Sequence, residues 1–157
     1  MNNTPDLTFR FAEEKDIPII FSFIKELAEY EKLLDQVKVT EEILRENLFG
    51  ERKYAEVIIA EFDKAPVGQA LFFHNFSTFL GKPGIYLEDL YVKPEFRGKG
   101  IGKALLKKLI ETAKERNCGR VEWVVLDWNK PAIEFYQKLG AKEMKDWLVY
   151  RLKEDKF

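Results

Sequence analysis

A chain of 157 residues, 46% hydrophobic and 34% charged, has the composition of a globular protein and the length to bury one substantial core. A formal net charge of −1 argues against a general nucleic-acid binder, and a single cysteine, Cys118, excludes an intrachain disulfide and makes the cytoplasm the expected compartment. No apolar run approaches about 18 residues and no charged-then-apolar leader is present, so neither a membrane partner nor secretion is expected, and residues 1–157 read as a single domain.

Leu7–Phe11 alternates as a strand. Asp16 then reads as a helix N-cap with Pro18 in the first turn, and Ile17, Ile20, Phe21, Ile24, Leu27 and Ala28 recur at helical spacing as far as about Tyr30. Thr40 opens a second, shorter helix that ends before Gly50. Ala55–Phe62 and Val67–Phe73 form an antiparallel hairpin around the turn 63–66. Ile85–Val92 is the next strand, entered through residues 81–84. Ile101, Leu105, Leu109 and Ala113 share one face of a long helix that stops near 117–119. Arg120–Leu126 reads as a strand, Asn129 with Pro131 starts a short helix ending at Gly140, and strand-like pieces lie near Lys142–Met144 and Trp147–Leu152. An α/β (α+β) fold with a central mixed, mostly antiparallel sheet flanked by helices is the expectation.

Charge is unevenly placed along these elements. Residues 1–62 carry 14 acidic and 8 basic side chains, whereas residues 93–120 carry 9 basic and 3 acidic. Most of these are solvated helix faces, but a basic stretch lining a cleft raises the local concentration of an anionic ligand.

The run 97–102, Arg-Gly-Lys-Gly-Ile-Gly, sits where strand gives way to helix. Glycines allow a tight turn and close backbone approach, and amides at a helix start have no partner and carry the positive end of the dipole. With Arg97, Lys99 and Lys103 they make an anion site suited to a pyrophosphate. A dinucleotide fingerprint fails, because position 103 is lysine where the third glycine belongs. A Walker A loop fails too, because only three residues separate Gly98 from Gly102-Lys103 and Ala104 stands where Ser or Thr would hold magnesium.

The remaining pattern, Arg-x-x-Gly-x-Gly between the strand Tyr-Leu-Glu-Asp-Leu-Tyr-Val and a long helix, resembles the acetyl-CoA motif of the GNAT N-acetyltransferases. The segment 129–141, Asn-Lys-Pro-Ala-Ile-Glu-Phe-Tyr-Gln-Lys-Leu-Gly-Ala, resembles that family's following helix. The likeness runs from Leu7 to Leu152. Within the family, 25–31, 76–79, 86–89 and 126–129 are most similar to the spermidine/spermine (diamine) and thialysine acetyltransferase group.

The resemblance implies direct acetyl transfer from acetyl-CoA to a primary amine, with no metal and no covalent enzyme intermediate. Leu90, Tyr91, Val92, Arg97, Gly98, Lys99, Gly100, Ile101, Gly102, Lys103, Asn129 and Ala132 are implied as cofactor contacts. Tyr30, Glu31, Glu88 and Ser77 are implied on the amine side. An alkyl ammonium must lose a proton before it attacks, and Glu88, a carboxylate inside an apolar strand, is the expected acceptor because burial raises a carboxylate's pKa. Period 2 puts Asp89 on the opposite face, so without a bulge both cannot line one pocket, and Asp89 is read as the partner of a neighbouring group. Tyr136 is the expected general acid, since a phenol can supply the proton a departing thiolate needs.

His74 and the three tryptophans read as structural. Ser77 replaces an acidic residue of the polyamine enzymes, which favours a small amino-acid-like amine over a long polycation. The resemblance also implies a homodimer. Rival readings are acetylation of a protein or peptide amine, and a CoA-binding regulatory module without catalysis.

Overall fold

Two consecutive residues with positive φ, Asp63 (49°) and Lys64 (66°), close the turn between β2 (Glu56–Phe62) and β3 (Ala65–Ser77). Such a two-residue turn matches the right-handed twist of paired strands, so the hairpin is tighter than the 63–66 loop expected from sequence. The computed structural model describes residues 6–157, and the chain divides into two units, the first ending at Val124 and the second spanning Val125–Phe157.

In the first unit, five strands lie in the order β1 (Leu7–Phe11), β2, β3, β4 (Lys82–Val92) and β5 (Val121–Glu122). The first four pair antiparallel, and β5 pairs parallel to β4 through Ile85↔Val121 and Tyr86↔Glu122. The mixed, mostly antiparallel sheet expected from the alternation of elements is therefore present. Helices α1 (Ile17–Tyr30) and α2 (Glu41–Phe49) cover one face, where Ile17, Ile20, Leu44 and Leu48 pack on Val57 and Ile59. Alternation sends Ile58, Ala60 and Phe72, all fully buried, to the other face, where α3 (Ile101–Glu115) brings Leu105, Leu106 and Leu109. Each such leucine contributes roughly 1.5–3 kcal/mol by leaving water.

Local signals act as the sequence predicts in α2, where the Thr40 hydroxyl accepts from the Ile43 amide at 3.2 Å. Asp16 does not cap α1 in the expected way. Its carboxylate takes both Arg10 guanidinium nitrogens, at 2.7 and 2.9 Å, and the Glu13 amide at 2.7 Å, and the Arg10 contact first of all holds its pKa below the usual carboxylate range. This buried carboxylate ties the end of β1 to the start of α1.

Three expected strands are corrected. β5 keeps only two of the residues 120–126, and neither 142–144 nor 147–152 forms a strand. A strand is stable only against a neighbour, and Trp147 and Tyr150 are 72% and 89% exposed. The second unit instead holds α4 (Lys130–Lys138).

Candidate active site

The β3–β4 ladder carries the feature that organises the site. Leu71 pairs with Asp89 and Phe72 with Leu87, so Glu88 is an extra residue, the bulge of β4. A bulge re-aims side chains and here overturns the simple alternation assumed from sequence. Glu88 is exposed, and Asp89, opposite Leu71, turns toward α1 and is the partly buried carboxylate. The expectation that Glu88 sits desolvated in the strand is therefore corrected: burial falls on Asp89. Burial, then the neighbouring charges of Glu88 and Glu31, push the Asp89 pKa up to about 6.

Asp89 lines a cavity of about 190 Å³ with Ile24, Leu27, Ala28 and Glu31 of α1 and its end, and Leu33, Gln36 and Val37 beyond it. Burial also raises the Glu31 pKa. Two carboxylates thus stand at the wall of an otherwise largely apolar hollow, where a compact cation would relieve both their repulsion and their desolvation. A larger cavity of about 470 Å³ is lined by residues such as Phe11, Phe49, Tyr54, Glu56 and His74 and holds none of the expected site residues. Its carboxylate, Glu56, is already neutralised by Arg116, whose second terminal nitrogen donates to it at 2.9 Å.

Beside the cavity that Asp89 lines, β4 has two unlike edges. β3 pairs with β4 along its length, but β5 pairs only at Ile85 and Tyr86, so among the described residues Leu87–Val92 face no strand on the second edge. An open edge of this kind accepts an extended ligand through backbone hydrogen bonds. The Tyr91 side chain points into the protein, is 2% exposed and donates its hydroxyl to Glu26 of α1, while Leu90 and Val92 are partly buried.

The glycine run follows directly. Gly98 and Gly100 have φ of 76° and 78°, which explains glycine at both. Gly102 differs, since a Cβ there would meet only the Val92 Cγ2, at 3.8 Å, and its backbone is not in the left-handed region. Folding therefore does not demand glycine at 102, and the missing side chain leaves the start of α3 open to close approach. Ile101 anchors that start with a buried side chain, and Lys99 and Lys103 remain exposed. The cradle thus fits a pyrophosphate: backbone donors, a helix N-terminus and cations.

Arg97 takes an arrangement that sequence did not foresee. Its Nε donates to the Val92 carbonyl at 2.9 Å, and its guanidinium carbon lies 4.9 Å from the Tyr30 ring centre and 5.8 Å from that of Tyr91. The start of the glycine run and the end of α1 are therefore in contact through one side chain. Glu26, which the sequence reading missed, was detectable only as a carboxylate one helical turn before Tyr30.

Ser77 is not part of this constellation. It is buried, its hydroxyl accepts from the Leu80 amide at 3.2 Å, and it stands six residues along β3 from Leu71, the partner of Asp89, a span of roughly 20 Å. Within this chain the Ser77 hydroxyl closes the turn that follows β3. In the second unit, Asn129 Oδ1 accepts from the Ala132 amide at 3.4 Å and caps α4, and the Tyr136 ring lies 5.3 Å from that of Phe135. No group of three or more His, Cys, Asp or Glu suited to a metal occurs among the described residues, and no described helix is long and apolar enough to cross a membrane.

This geometry has known counterparts. A model of the acetyltransferase (GNAT) family matches residues 21–141. Thialysine N-epsilon-acetyltransferase of Bos taurus is 44% identical over 153 residues, covering 90% of this chain and 89% of that protein. L-ornithine N5-acetyltransferase NATA1 of Arabidopsis thaliana is 30% identical over 191 aligned positions, covering 93% of this chain and 84% of the relative. Among solved structures, an integron cassette protein of V. cholerae superposes with a TM-score of 0.79 at 26% identity, over 95% of this chain and 93% of its own. Sequence, sheet and glycine cradle agree, and the chain belongs to the GNAT acetyltransferase family and is an N-acetyltransferase.

Proposed function

We propose that the protein transfers the acetyl group of acetyl-CoA directly to the side-chain amine of a small, amino-acid-like substrate such as thialysine or ornithine. The observation that carries this reading is the small cavity in which Glu31 and Asp89 meet beside the open edge of β4. A cavity of about 190 Å³ suits an ammonium on a short alkyl arm rather than a long polycation. The relatives' substrates support the same class, since their names specify amines on amino acids.

In this reading the backbone of Leu90–Val92 aligns the pantetheine arm and polarises the thioester oxygen, and residues 97–103 hold the pyrophosphate. Asn129 and Ala132 of α4 are read as further cofactor contacts, as the family resemblance implies. Glu31 and Asp89 bind the ammonium between them. One ammonium proton passes to Asp89 and out through exposed Glu88 to water. The neutral nitrogen attacks the carbonyl carbon, the C–S bond breaks as the amide forms, and Tyr136 gives its proton to the thiolate. The nitrogen's surplus proton leaves to solvent, which reprotonates Tyr136. Residues 1–157 act as one N-acetyltransferase domain, metal-free, in the cytoplasm and as a homodimer.

Thiol release from acetyl-CoA tests the reading across thialysine, ornithine, lysine, spermidine and short peptides. The expected order places thialysine and ornithine first. Preference for spermidine or for a peptide amine would transfer the assignment to that class, and CoA binding with no turnover on any amine would make the protein a regulatory module.

A further inference from the structure

We propose that Glu26 and Tyr91 act together as positioning residues: the phenol–carboxylate hydrogen bond between them sets the spacing between the β4 edge that carries the thioester and the α1 wall that receives the amine. The inference rests on the acetyl-transfer reading above and adds what holds the two reactants in register.

β4 is least supported where the donor would lie. The bulge at Glu88 interrupts its ladder with β3, and β3 is the one strand paired with Leu87–Val92 among the described residues. Bulged backbone held on one edge bends and twists more readily than a strand paired on both. Its depth against α1 therefore depends on side-chain anchors. Tyr91 supplies one. Its ring centre lies 5.2 Å from that of Phe23, and its hydroxyl donates to one carboxylate oxygen of Glu26. The Ser22 hydroxyl, one helical turn earlier, donates to the other oxygen at 2.8 Å, so the acceptor is itself oriented. Burial, then Glu26, hold the Tyr91 pKa above the usual phenol range, which keeps the donated proton in place.

The same two elements wall the small cavity. Ile24, Leu27, Ala28 and Glu31 line it from α1 and its end, and Asp89, two residues before Tyr91, lines it from β4. Ring packing alone lets a strand slide along a helix, whereas a hydrogen bond fixes distance and direction. A shift of about 1 Å between reacting groups costs about 100-fold in rate. Nor is polar chemistry what stabilises this face. Opposite Tyr91, Gln69 is fully buried, and neither of its side-chain polar atoms has a hydrogen-bond partner among the described residues. Such a group destabilises, and an apolar residue of similar size would fill the interface better.

Single-turnover thiol release reads the chemical step, with the full chain in excess over acetyl-CoA and with thialysine, or whichever amine of the panel the wild type prefers, saturating. Tyr91→Phe keeps the ring and its packing, and the half-buried Glu26 can turn to water. This variant should release thiol about 10- to 100-fold more slowly, at an unchanged melting temperature and with CoA and amine affinities within about twofold of wild type. Glu26→Leu should fall as far, and the double variant no further than either single one. Glu26→Gln, whose carboxamide oxygen still accepts from the phenol, should keep most of the rate. A Tyr91→Phe rate within about twofold of wild type would overturn the inference, as would losses that multiply in the double variant. Either result beside normal wild-type transfer leaves the functional reading standing. A wild type that transfers acetyl to no amine removes that reading and the inference with it.

Discussion

At the scale of single residues, Asp89 shows most directly how the site differs from an ordinary core. Folding takes this carboxylate partly out of water and beside two others, raising its pKa from the usual 3.8 to about 6. The folded protein therefore binds that proton more tightly than the unfolded chain does. Its relative stability is full below about pH 4 and declines as pH rises through about 6, by on the order of 3 kcal/mol. Asp89→Asn removes the buried charge, so thermal melts at pH 7.5 should show a gain of roughly 1–2 kcal/mol that shrinks at pH 5, while turnover falls by about 10²-fold or more. In the wild type, the acid limb of kcat/KM should follow an apparent pKa near 6, and that limb should vanish in the variant. A variant that is both less stable at pH 7.5 and fully active would remove Asp89 from the site. The sequence displayed both carboxylates, yet it favoured Glu88, because strand period alone cannot reveal that one extra residue turns the next side chain inward.

At the scale of elements, the glycine run and β4 behave differently as sources of information. The run is a local instruction: Gly98 and Gly100 adopt left-handed backbone and α3 starts at Ile101, as the residue types require. Gly102 carries a separate instruction, because nothing in the protein's own packing demands it. Gly102→Ala should leave the fold intact or stabilise α3 by up to about 1 kcal/mol, since alanine is the better helix former. The same change should weaken CoA binding by about 10-fold or more by placing a methyl group at the ligand's closest approach, measured by titration beside a melting curve. Unchanged CoA affinity would move the pyrophosphate elsewhere. β4 is legible as a strand from its apolar run, but its function comes from pairing. Only the register with β3 creates the bulge, and only the brevity of β5 leaves Leu87–Val92 with an open edge.

At the scale of the whole molecule, the order of strands and helices and the division into an acidic first third and a basic stretch were both legible, because composition and periodicity are local. The C-terminal segment was not. Residues 147–152 have the apolar character of a strand and are strongly exposed, as are Phe76 and Phe79 around the β3–β4 turn. Exposed apolar residues in such number suit an interface with a second copy. Sedimentation equilibrium should accordingly give about twice the 18.5 kDa chain mass; a stable monomer at micromolar concentration would end the homodimer proposal. The sequence by itself determined the family, the glycine turn before α3 and the elements that flank it, since a glycine's backbone freedom and a helix's apolar period are properties of neighbouring residues. Tertiary structure decided which carboxylate is desolvated, that Ser77 closes a turn, and that Arg97 lies on Tyr30, because burial, register and ring stacking arise only when distant segments of the chain meet.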